Sequence, residues 1–226
     1  MDRLESEGYL KSLIAGANTY MTGDAAVDAQ GNIILGEGAK GKAATDKELG
    51  IENYLTMEAL NSVMGLEMRE ISKVFFPDMD KLKATELTKK CMDHEIEYLN
   101  KHGGKLYDHV IDTLEKLSKE YNLMIVTNAN HPYVEALFNA YPIGSYFVDF
   151  ETNGNTGLSK DKNIRLILER NGYDTGIYIG DTMKDYLACQ KANIPMIFAS
   201  YGFGDVSEPW KQIDSFHELL DVLKLN

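Results

Sequence analysis

The sequence has 226 residues, of which 44% are hydrophobic and 26% charged, as in an ordinary globular protein with one good core and room for a smaller second domain. The formal net charge of -12 excludes the basic footprint that nucleic acids and anionic membranes require. The chain has no apolar run of membrane-spanning length and no signal-peptide layout at its start, so we expect a cytoplasmic protein with no nucleic-acid and no membrane partner. Cys91 and Cys189 lie far apart in helical patterns, which predicts free, buried thiols in a reducing compartment.

The first 41 residues give weak signals. Five apolar residues have the spacing of one helix face, which Gly16 and Gly23 then interrupt: Leu4, Tyr9, Leu10, Leu13 and Ile14. Residues 24–35 read as a short strand, a turn at Gln30-Gly31-Asn32 and a second short strand.

The block from about Lys42 to Lys105 is helical almost throughout. Pro77 and Asp78 break it, residues 82–100 form a long candidate helix, and a turn at 102–104 closes it.

After Lys105 the pattern changes to alternating strands and helices. We expect helices at 110–121, 132–140, 163–171 and 216–225, and strands at 123–128, 146–150, 177–180 and 195–200. Continuous apolar strands separated by helices predict an α/β fold, namely a Rossmann-like, doubly wound parallel sheet covered on both faces. Residues 1–41 and 106–226 would form this core, and the helical block 42–105 would be an insert after its first strand.

Polar residues follow several of these strands. They are Asp28, Thr127-Asn128, Lys160, and the pair Asp181 and Asp185. Because the carboxyl ends of parallel strands share one edge, these groups are expected to converge on one site. One Asp would attack phosphorus, hydroxyl and amide groups would hold phosphoryl oxygens, Lys160 would balance charge, and another Asp would bind Mg²⁺. Hard carboxylate oxygens are the ligands that this ion prefers.

Each of these residues also has a structural interpretation. Asp181 would cap the following helix, with Asp185 solvated on its first turn, and Thr127-Asn128 would cap another helix. Lys160 resembles a solvated surface lysine with Lys162 as its rival. Asp28 would lie in an exposed hairpin. The joint occurrence of the groups in this order favours a shared phosphate and metal site.

The order and spacing of these groups resemble the motifs of the haloacid dehalogenase-like (HAD) hydrolase superfamily. Its motifs run Asp-x-Asp-Gly-Thr, Ser/Thr-Asn, a Lys, and Gly-Asp-x-x-x-Asp. Thr127-Asn128 matches the second, Lys160 the third, and residues 180–185 the fourth. The helical block looks like the small cap of the phosphoglycolate phosphatase-like branch. Tyr201-Gly202-Phe203-Gly204, near the end of the chain, also resembles that branch.

The resemblance implies an Mg²⁺-dependent phosphatase that acts on a small phosphorylated metabolite through an aspartyl-phosphate intermediate, as a monomer or a homodimer. Asp28, Thr127 and Lys160 would be catalytic, and Thr127, Asn128 and Lys160 would bind substrate. Asp28, the Gln30 carbonyl, Asp181 and Asp185 would form the metal site.

The departure from the family lies in the first motif, for which the best match is Asp28-Ala29-Gln30-Gly31-Asn32. Gln30 replaces the second Asp of the motif, which the resemblance implies would act as the general acid and base. A glutamine side chain has no titratable proton, so the reaction rate is expected to fall by roughly 10²–10⁴-fold. The alternative is therefore a catalytically impaired protein of this type that binds a phosphorylated ligand or a partner.

Cleavage of a C–halogen or C–P bond is a third alternative. The Gly-Asp-x-x-x-Asp motif argues against the metal-free dehalogenases, and no lysine of the helical block stands out for the Schiff base that phosphonate cleavage would require. The sequence does not identify the substrate.

Overall fold

The computed structural model describes residues 12–15, 21–22, 25–27, 33–35, 62–63, 66–102 and 105–225. Its strands are β1 (Ser12–Ala15), β2 (Met21–Thr22), β3 (Ala25–Val27), β4 (Ile33–Leu35), β5 (Lys105–Leu106), β6 (Asn122–Thr127), β7 (Phe147–Thr152), β8 (Ile177–Gly180), β9 (Met196–Ala199) and β10 (Lys211–Ile213). Six of them form one sheet in the order β10-β9-β8-β1-β6-β7, and each neighbouring pair is parallel. The α/β fold with a parallel sheet is thus confirmed.

The centre of this sheet is β1, which lies between β6 and β8 with Ile14 opposite both Met124 and Tyr178. The expected helix face that included Leu13 and Ile14 is therefore wrong for these two residues. Leu13, Ile14 and Ala15 are all buried, so both faces of the strand are covered. A short apolar run covered on both faces has no alternation, and periodicity alone does not distinguish it from a helix segment.

Residues 25–35 contain the expected pair of short strands. β3 and β4 pair antiparallel, with Ala26 opposite Ile34, and they form a two-stranded sheet of their own. β3 is therefore not a strand of the six-stranded sheet. The interpretation of Asp28 as the residue that follows the first core strand required β3 to belong to that sheet. Asp28 and Gln30 themselves lie outside the described residues.

The helices are α1 (Met68–Phe75), α2 (Lys81–His102), α3 (Val110–Leu117), α4 (His131–Ala140), α5 (Asn153–Thr156), α6 (Lys160–Arg170), α7 (Met183–Ala192) and α8 (Leu219–Val222). In the part of the chain that the structure describes, 3₁₀ turns occur at Gly144–Tyr146 and Phe216–Glu218. The start of α2 is fixed by Asp80, whose Oδ1 accepts hydrogen bonds from the backbone N–H groups of Leu82 (3.0 Å) and Lys83 (3.2 Å).

The chain divides into two compact units. The first contains Met1–Met21, Leu106–His131 and Pro142–Asn226, and the second contains Thr22–Lys105 and Pro132–Tyr141. The expected division into a core of 1–41 and 106–226 and a cap of 42–105 stays a prediction. No helix among the described residues is long and apolar enough to cross a membrane.

The core of the first unit covers both faces of the sheet. On one face Ile14, Met124 and Tyr178 pack with Cys189 of α7 and with apolar residues of α6. On the other face, strand residues and residues of α3 and the C-terminal turns line one small interior space: Leu13, Ala15, Leu123, Ile179, Leu114, Leu117, Phe216 and Leu219. The alternation of Leu13 and Ala15 with Ile14 places β1 in both layers.

The second unit has a smaller core of its own around Phe75 and Phe76, which are both buried and lie edge to face. Val63 and Ala84 complete it, and Cys91 packs against it as a half-buried residue. Cys91 and Cys189 are both free thiols, and Cys189 is buried as expected, whereas the expectation of a buried Cys91 is wrong.

Candidate active site

Two carboxylates lie where β8 ends and α7 begins. Asp181 directly follows Gly180, and Asp185 occupies the first turn of the helix, whose N-cap is Thr182. The Thr182 hydroxyl accepts from the Asp185 N–H, and the Asp185 side chain accepts from the Thr182 N–H, so the two residues form a capping box. Asp181 and Asp185 are both 2% exposed. The strand, turn and helix expected around the Gly-Asp-x-x-x-Asp motif are therefore present.

The carboxylate of Asp185 is held by several donors. Its Oδ2 accepts from the N–H of Thr182 (3.0 Å), the hydroxyl of Thr182 (2.8 Å) and the N–H of Asp181 (3.3 Å). Its Oδ1 accepts from the ammonium group of Lys160 and lies 3.4 Å from the Tyr178 hydroxyl. With both oxygens engaged, Asp185 is suited to orienting its neighbours rather than to direct metal ligation.

Gly180 allows this close arrangement. A Cβ at position 180 would lie 2.7 Å from the Cβ of Asp185 and 2.8 Å from a ring carbon of Tyr178. Real Cβ atoms do not approach other atoms this closely, so the strand reaches the helix start because residue 180 has no side chain.

Asp181 has fewer partners than Asp185. Its Oδ2 accepts from the backbone N–H of Phe203 (3.1 Å), and its backbone carbonyl accepts from the N–H of Gly204 (3.1 Å). In the described part of the chain, the hydrogen bond from Phe203 engages Oδ2 and not Oδ1. This oxygen is the one that a cation or a water molecule would use.

The two carboxyl groups have opposite pKa shifts. Burial raises the pKa of Asp181 to about 6, and the negative charge of Asp185 adds to the rise. Burial also opposes the ionisation of Asp185, but the charge of Lys160 and the hydrogen bonds from Lys160 and Thr182 hold its pKa below the usual value. As the pH rises, Asp185 therefore ionises first, and Asp181 ionises in a second step near neutral pH.

Lys160 is the first residue of α6, and its side chain is 10% exposed. Its ammonium group pairs with Asp185 and lies 5.8 Å from the centre of the Tyr178 ring. The interpretation of Lys160 as a solvated surface lysine is therefore wrong, whereas Lys162 is exposed.

Thr127 is the last residue of β6 and is buried, and its Oγ1 accepts from the N–H of Ala129 (3.2 Å). Asn128 follows it and is half-buried. The Tyr178 hydroxyl donates to the carbonyl of Val126 (3.0 Å), which connects the end of β6 to the surroundings of Asp185. Lys160, Asp181 and Asp185 are thus joined by direct contacts, and the strand that carries Thr127 is linked to them through Tyr178.

The carboxylate donors fit part of an Mg²⁺ site. Asp181 Oδ1 is a hard oxygen ligand, and Mg²⁺ commonly binds to one or two carboxylates and several waters. Among the described residues, however, no cluster of three or more His, Cys, Asp or Glu side chains could hold a metal ion. Further ligands would have to be waters, backbone groups or the substrate, or the predicted Asp28 and Gln30.

The first strand of the core sheet, β1, is not among the strands that the sequence predicts, and neither are the residues that follow it among the predicted site residues. β1 precedes β6 in the chain and joins the six-stranded sheet, as the strand before the first motif should. The five residues from Ala15 read Ala-Gly-Ala-Asn-Thr, so Thr19 matches Asp-x-Asp-Gly-Thr while Ala15 and Ala17 stand in place of its two Asp residues. The chain has no Asp or Glu between Glu7 and Asp24. The apolar run 13–15 followed by Gly16 was the signal that could have identified this strand.

The chain resembles known proteins in its sequence and its fold. Residues 42–199 match the family described as haloacid dehalogenase-like hydrolase. A phosphoglycolate phosphatase of Shigella boydii serotype 4 (strain Sb227) is 28% identical over 159 residues, which are 66% of this chain and 63% of that relative. The match thus spans less than two thirds of the relative's length.

Solved structures share the fold at low sequence identity. A predicted phosphoglycolate phosphatase from Haemophilus somnus 129pt superposes with a TM-score of 0.76 at 16% identity, over 95% of this chain and 98% of its own. A haloacid dehalogenase-like hydrolase from Streptococcus pneumoniae gives a TM-score of 0.74 at 18% identity, over 95% and 99%. At these identities the likeness concerns the fold alone.

Proposed function

Because the chain belongs to the haloacid dehalogenase-like hydrolase family, we propose that it is an Mg²⁺-dependent phosphatase of small phosphate monoesters. The observation that carries this proposal is the contact of Lys160 with Asp185 beside Asp181, at the sheet edge where Thr127 ends its strand. This arrangement supplies a cation for a phosphoryl group and a carboxylate oxygen for a metal ion. The relatives named as phosphoglycolate phosphatases make 2-phosphoglycolate the first substrate to test.

The residues of this chain would share the work of binding. Asp181 would hold Mg²⁺ through Oδ1, with Asp28 and the Gln30 carbonyl as further ligands, and Asp185 would orient Lys160 and the turn at Thr182. Mg²⁺ would neutralise the charge that develops on the transferring phosphoryl group. Thr127, Asn128 and Lys160 would hold its oxygens, and the ion pair with Asp185 would keep the ammonium group of Lys160 in place.

The chemical step would belong to Asp28. A carboxylate oxygen of Asp28 forms a bond to phosphorus while the bond from phosphorus to the ester oxygen breaks, and the released alkoxide takes a proton from water. A second water then attacks the aspartyl-phosphate, releasing inorganic phosphate and restoring the carboxylate. Gln30 has no proton to give or take, so we expect slow turnover.

Phosphate release from 2-phosphoglycolate and p-nitrophenyl phosphate, measured with Mg²⁺ and with EDTA, tests this proposal. Asp28→Asn is expected to lower the rate by more than about 10³-fold, because it removes the nucleophile. Asp181→Asn should abolish the dependence on Mg²⁺. Asp24→Asn, four residues before Asp28, and the exposed Asp174→Asn are the matched controls. Equal rates in all five proteins would refute the proposal.

A second candidate function is the binding of a phosphorylated ligand without turnover. The specific observation in its favour is the end of β1, where Ala15 and Ala17 stand at the positions of the motif's two carboxylates. β3, the strand that leads into Asp28, belongs to a different sheet. A site of this kind would keep Lys160, Thr127 and Asp181 for binding and lack a nucleophile on the central strand.

Two variants separate the candidates. If Asp28 is the nucleophile, Gln30→Asp should raise turnover by at least about tenfold, since it restores a proton donor. If the end of β1 is the reaction position, the double variant Ala15→Asp/Ala17→Asp should gain turnover and Gln30→Asp should not. Calorimetric titration of the unaltered protein with inorganic phosphate and Mg²⁺ measures binding in both cases. Binding without any hydrolysis in the unaltered protein would favour the second candidate.

A further inference from the structure

A short loop after β9 surrounds the carboxyl group of Asp181. The N–H of Phe203 donates to Asp181 Oδ2 (3.1 Å), and the N–H of Gly204 donates to the carbonyl of the same residue (3.1 Å). The N–H of Gly202 donates to the Ala199 carbonyl (3.1 Å), so the loop turns back on the strand it leaves. Residues 201–204 therefore bond both the backbone and the side chain of Asp181, and we call them the Asp181 clamp.

The clamp is itself held from a second direction. The Tyr107 hydroxyl donates to the Tyr201 carbonyl (3.1 Å), which belongs to the peptide bond before Gly202. The rings of Tyr107 and Tyr201 pack edge to face with their centres 4.7 Å apart. This contact fixes the start of the clamp.

Gly202 leaves no room for a side chain. A Cβ at position 202 would lie 2.3 Å from the Cβ of Asp181, 2.6 Å from its Oδ2 and 2.8 Å from its Cγ. These atoms belong to a buried side chain, so either the carboxyl group or the loop would have to move. The absence of a Cβ at residue 202 is thus matched to the position of the Asp181 carboxylate.

We propose that the Asp181 clamp is a positioning element for cation binding and that Gly202 is its essential residue. The clamp occupies Oδ2 with a backbone N–H and thereby presents Oδ1 as a single, oriented ligand. This inference rests on the proposed function, since it assigns the cation to Asp181. A carboxylate fixed by backbone contacts loses little freedom when it binds, which favours affinity.

Isothermal titration with Mg²⁺ tests the proposal. Gly202→Ala is expected to weaken Mg²⁺ binding by at least about tenfold, because the added methyl group displaces the whole carboxyl group of Asp181, including Oδ1. Tyr107→Phe, which removes one hydroxyl and keeps the ring, should weaken it by a smaller factor, about two- to fivefold. Gly172→Ala is the matched control: its φ is +76° and no atom lies within 4 Å of the added Cβ, so it introduces backbone strain without touching Asp181. Binding by Gly202→Ala within twofold of the unaltered protein would overturn the proposal.

An unfolding cycle tests the contact without any metal. Gly202→Ala should lower the urea midpoint in the presence of Asp181 and lower it by less than half as much in the Asp181→Gly background, where the clashing side chain is gone. Equal losses in the two backgrounds would refute the assigned contact. If the unaltered protein binds no Mg²⁺, the metal role of Asp181 and the proposed function fail, and the cycle still decides whether Gly202 holds Asp181 in place.

Discussion

Asp181 and Asp185 lie four residues apart, yet their carboxyl groups have different surroundings. Asp185 accepts from Lys160 and Thr182 with both oxygens, whereas Asp181 accepts one backbone N–H and has Asp185 as a neighbour of like charge. The first environment favours the carboxylate, and the second favours the neutral acid until a cation arrives. The pair thus divides into a fixed anion and a group ready to bind a positive charge.

This difference predicts the pH dependence of Mg²⁺ binding. Burial raises the pKa of Asp181 to about 6, so protons compete with Mg²⁺ below that pH. Affinity is expected to be about tenfold weaker at about pH 5 than at about pH 7, as the ionised fraction falls from roughly 0.9 to 0.1. Titration calorimetry at the two pH values measures it, with Asp174→Asn as the control. Constant affinity across this range would contradict the assignment.

The raised pKa of Asp181 has a second consequence, for stability without metal. The folded protein holds the proton more tightly than the unfolded chain, whose Asp titrates near its ordinary value of 3.8. Ionisation of Asp181 therefore lowers the free energy of unfolding. This loss of stability grows as the pH rises from about 4 to about 6, and it is complete above about pH 6. Bound Mg²⁺ would offset this loss.

At the scale of the elements, the strands of the core follow directly from apolar runs. β6 and β8 were expected at 123–128 and 177–180 and are present, because every residue from Leu123 to Val126 is buried and no alternation is needed. β10 was missed, since Lys211-Gln212-Ile213 has one buried residue and pairs only along the sheet edge with β9. The expected helix at 216–225 is instead a 3₁₀ turn followed by the short α8.

β1 was missed for a different reason. Its four residues are too few to show a period, and its position at the centre of the sheet depends on β6 and β8, which come more than 100 residues later in the chain. Local sequence does not contain that pairing. The missed strand then led to Asp28 as the best match to the first motif.

The central position of β1 predicts a large effect of truncation. Ile14→Ala is expected to lower the free energy of unfolding by about 2–5 kcal/mol, because Ile14 is fully buried among Met124, Tyr178 and residues of α6 and α7. Ile111→Ala on α3 is the control, since Ile111 is 37% exposed and its loss should stay below about 1 kcal/mol. Urea unfolding measures both. Equal losses would mean that β1 is not a core strand.

Across the whole molecule, the parts of the site that the sequence predicted lie at the ends of strands or starts of helices in the first unit. Thr127, Lys160, Asp181 and Asp185 were readable because each sits in a short motif next to a strong apolar run. The sequence does not predict the Asp181 clamp, because nearly every residue type has a backbone N–H group that can donate. Gly202 is one of 19 glycines and does not stand out among them. Close approach of two loops is a property of the folded chain.

The rate at which a thiol reagent modifies Cys189 reports how often the core of the first unit opens. Burial raises the pKa of this thiol, the charge of Asp185 adds to the rise, and the side chain is 2% exposed, so the reactive thiolate does not form while the core is closed. In a Cys91→Ser background, iodoacetamide should modify Cys189 only through transient opening. Ile14→Ala should then speed the labelling by about a hundredfold or more, in proportion to the opened population. Labelling of the native protein as fast as that of the urea-unfolded chain would contradict this, and mass spectrometry reads the result directly.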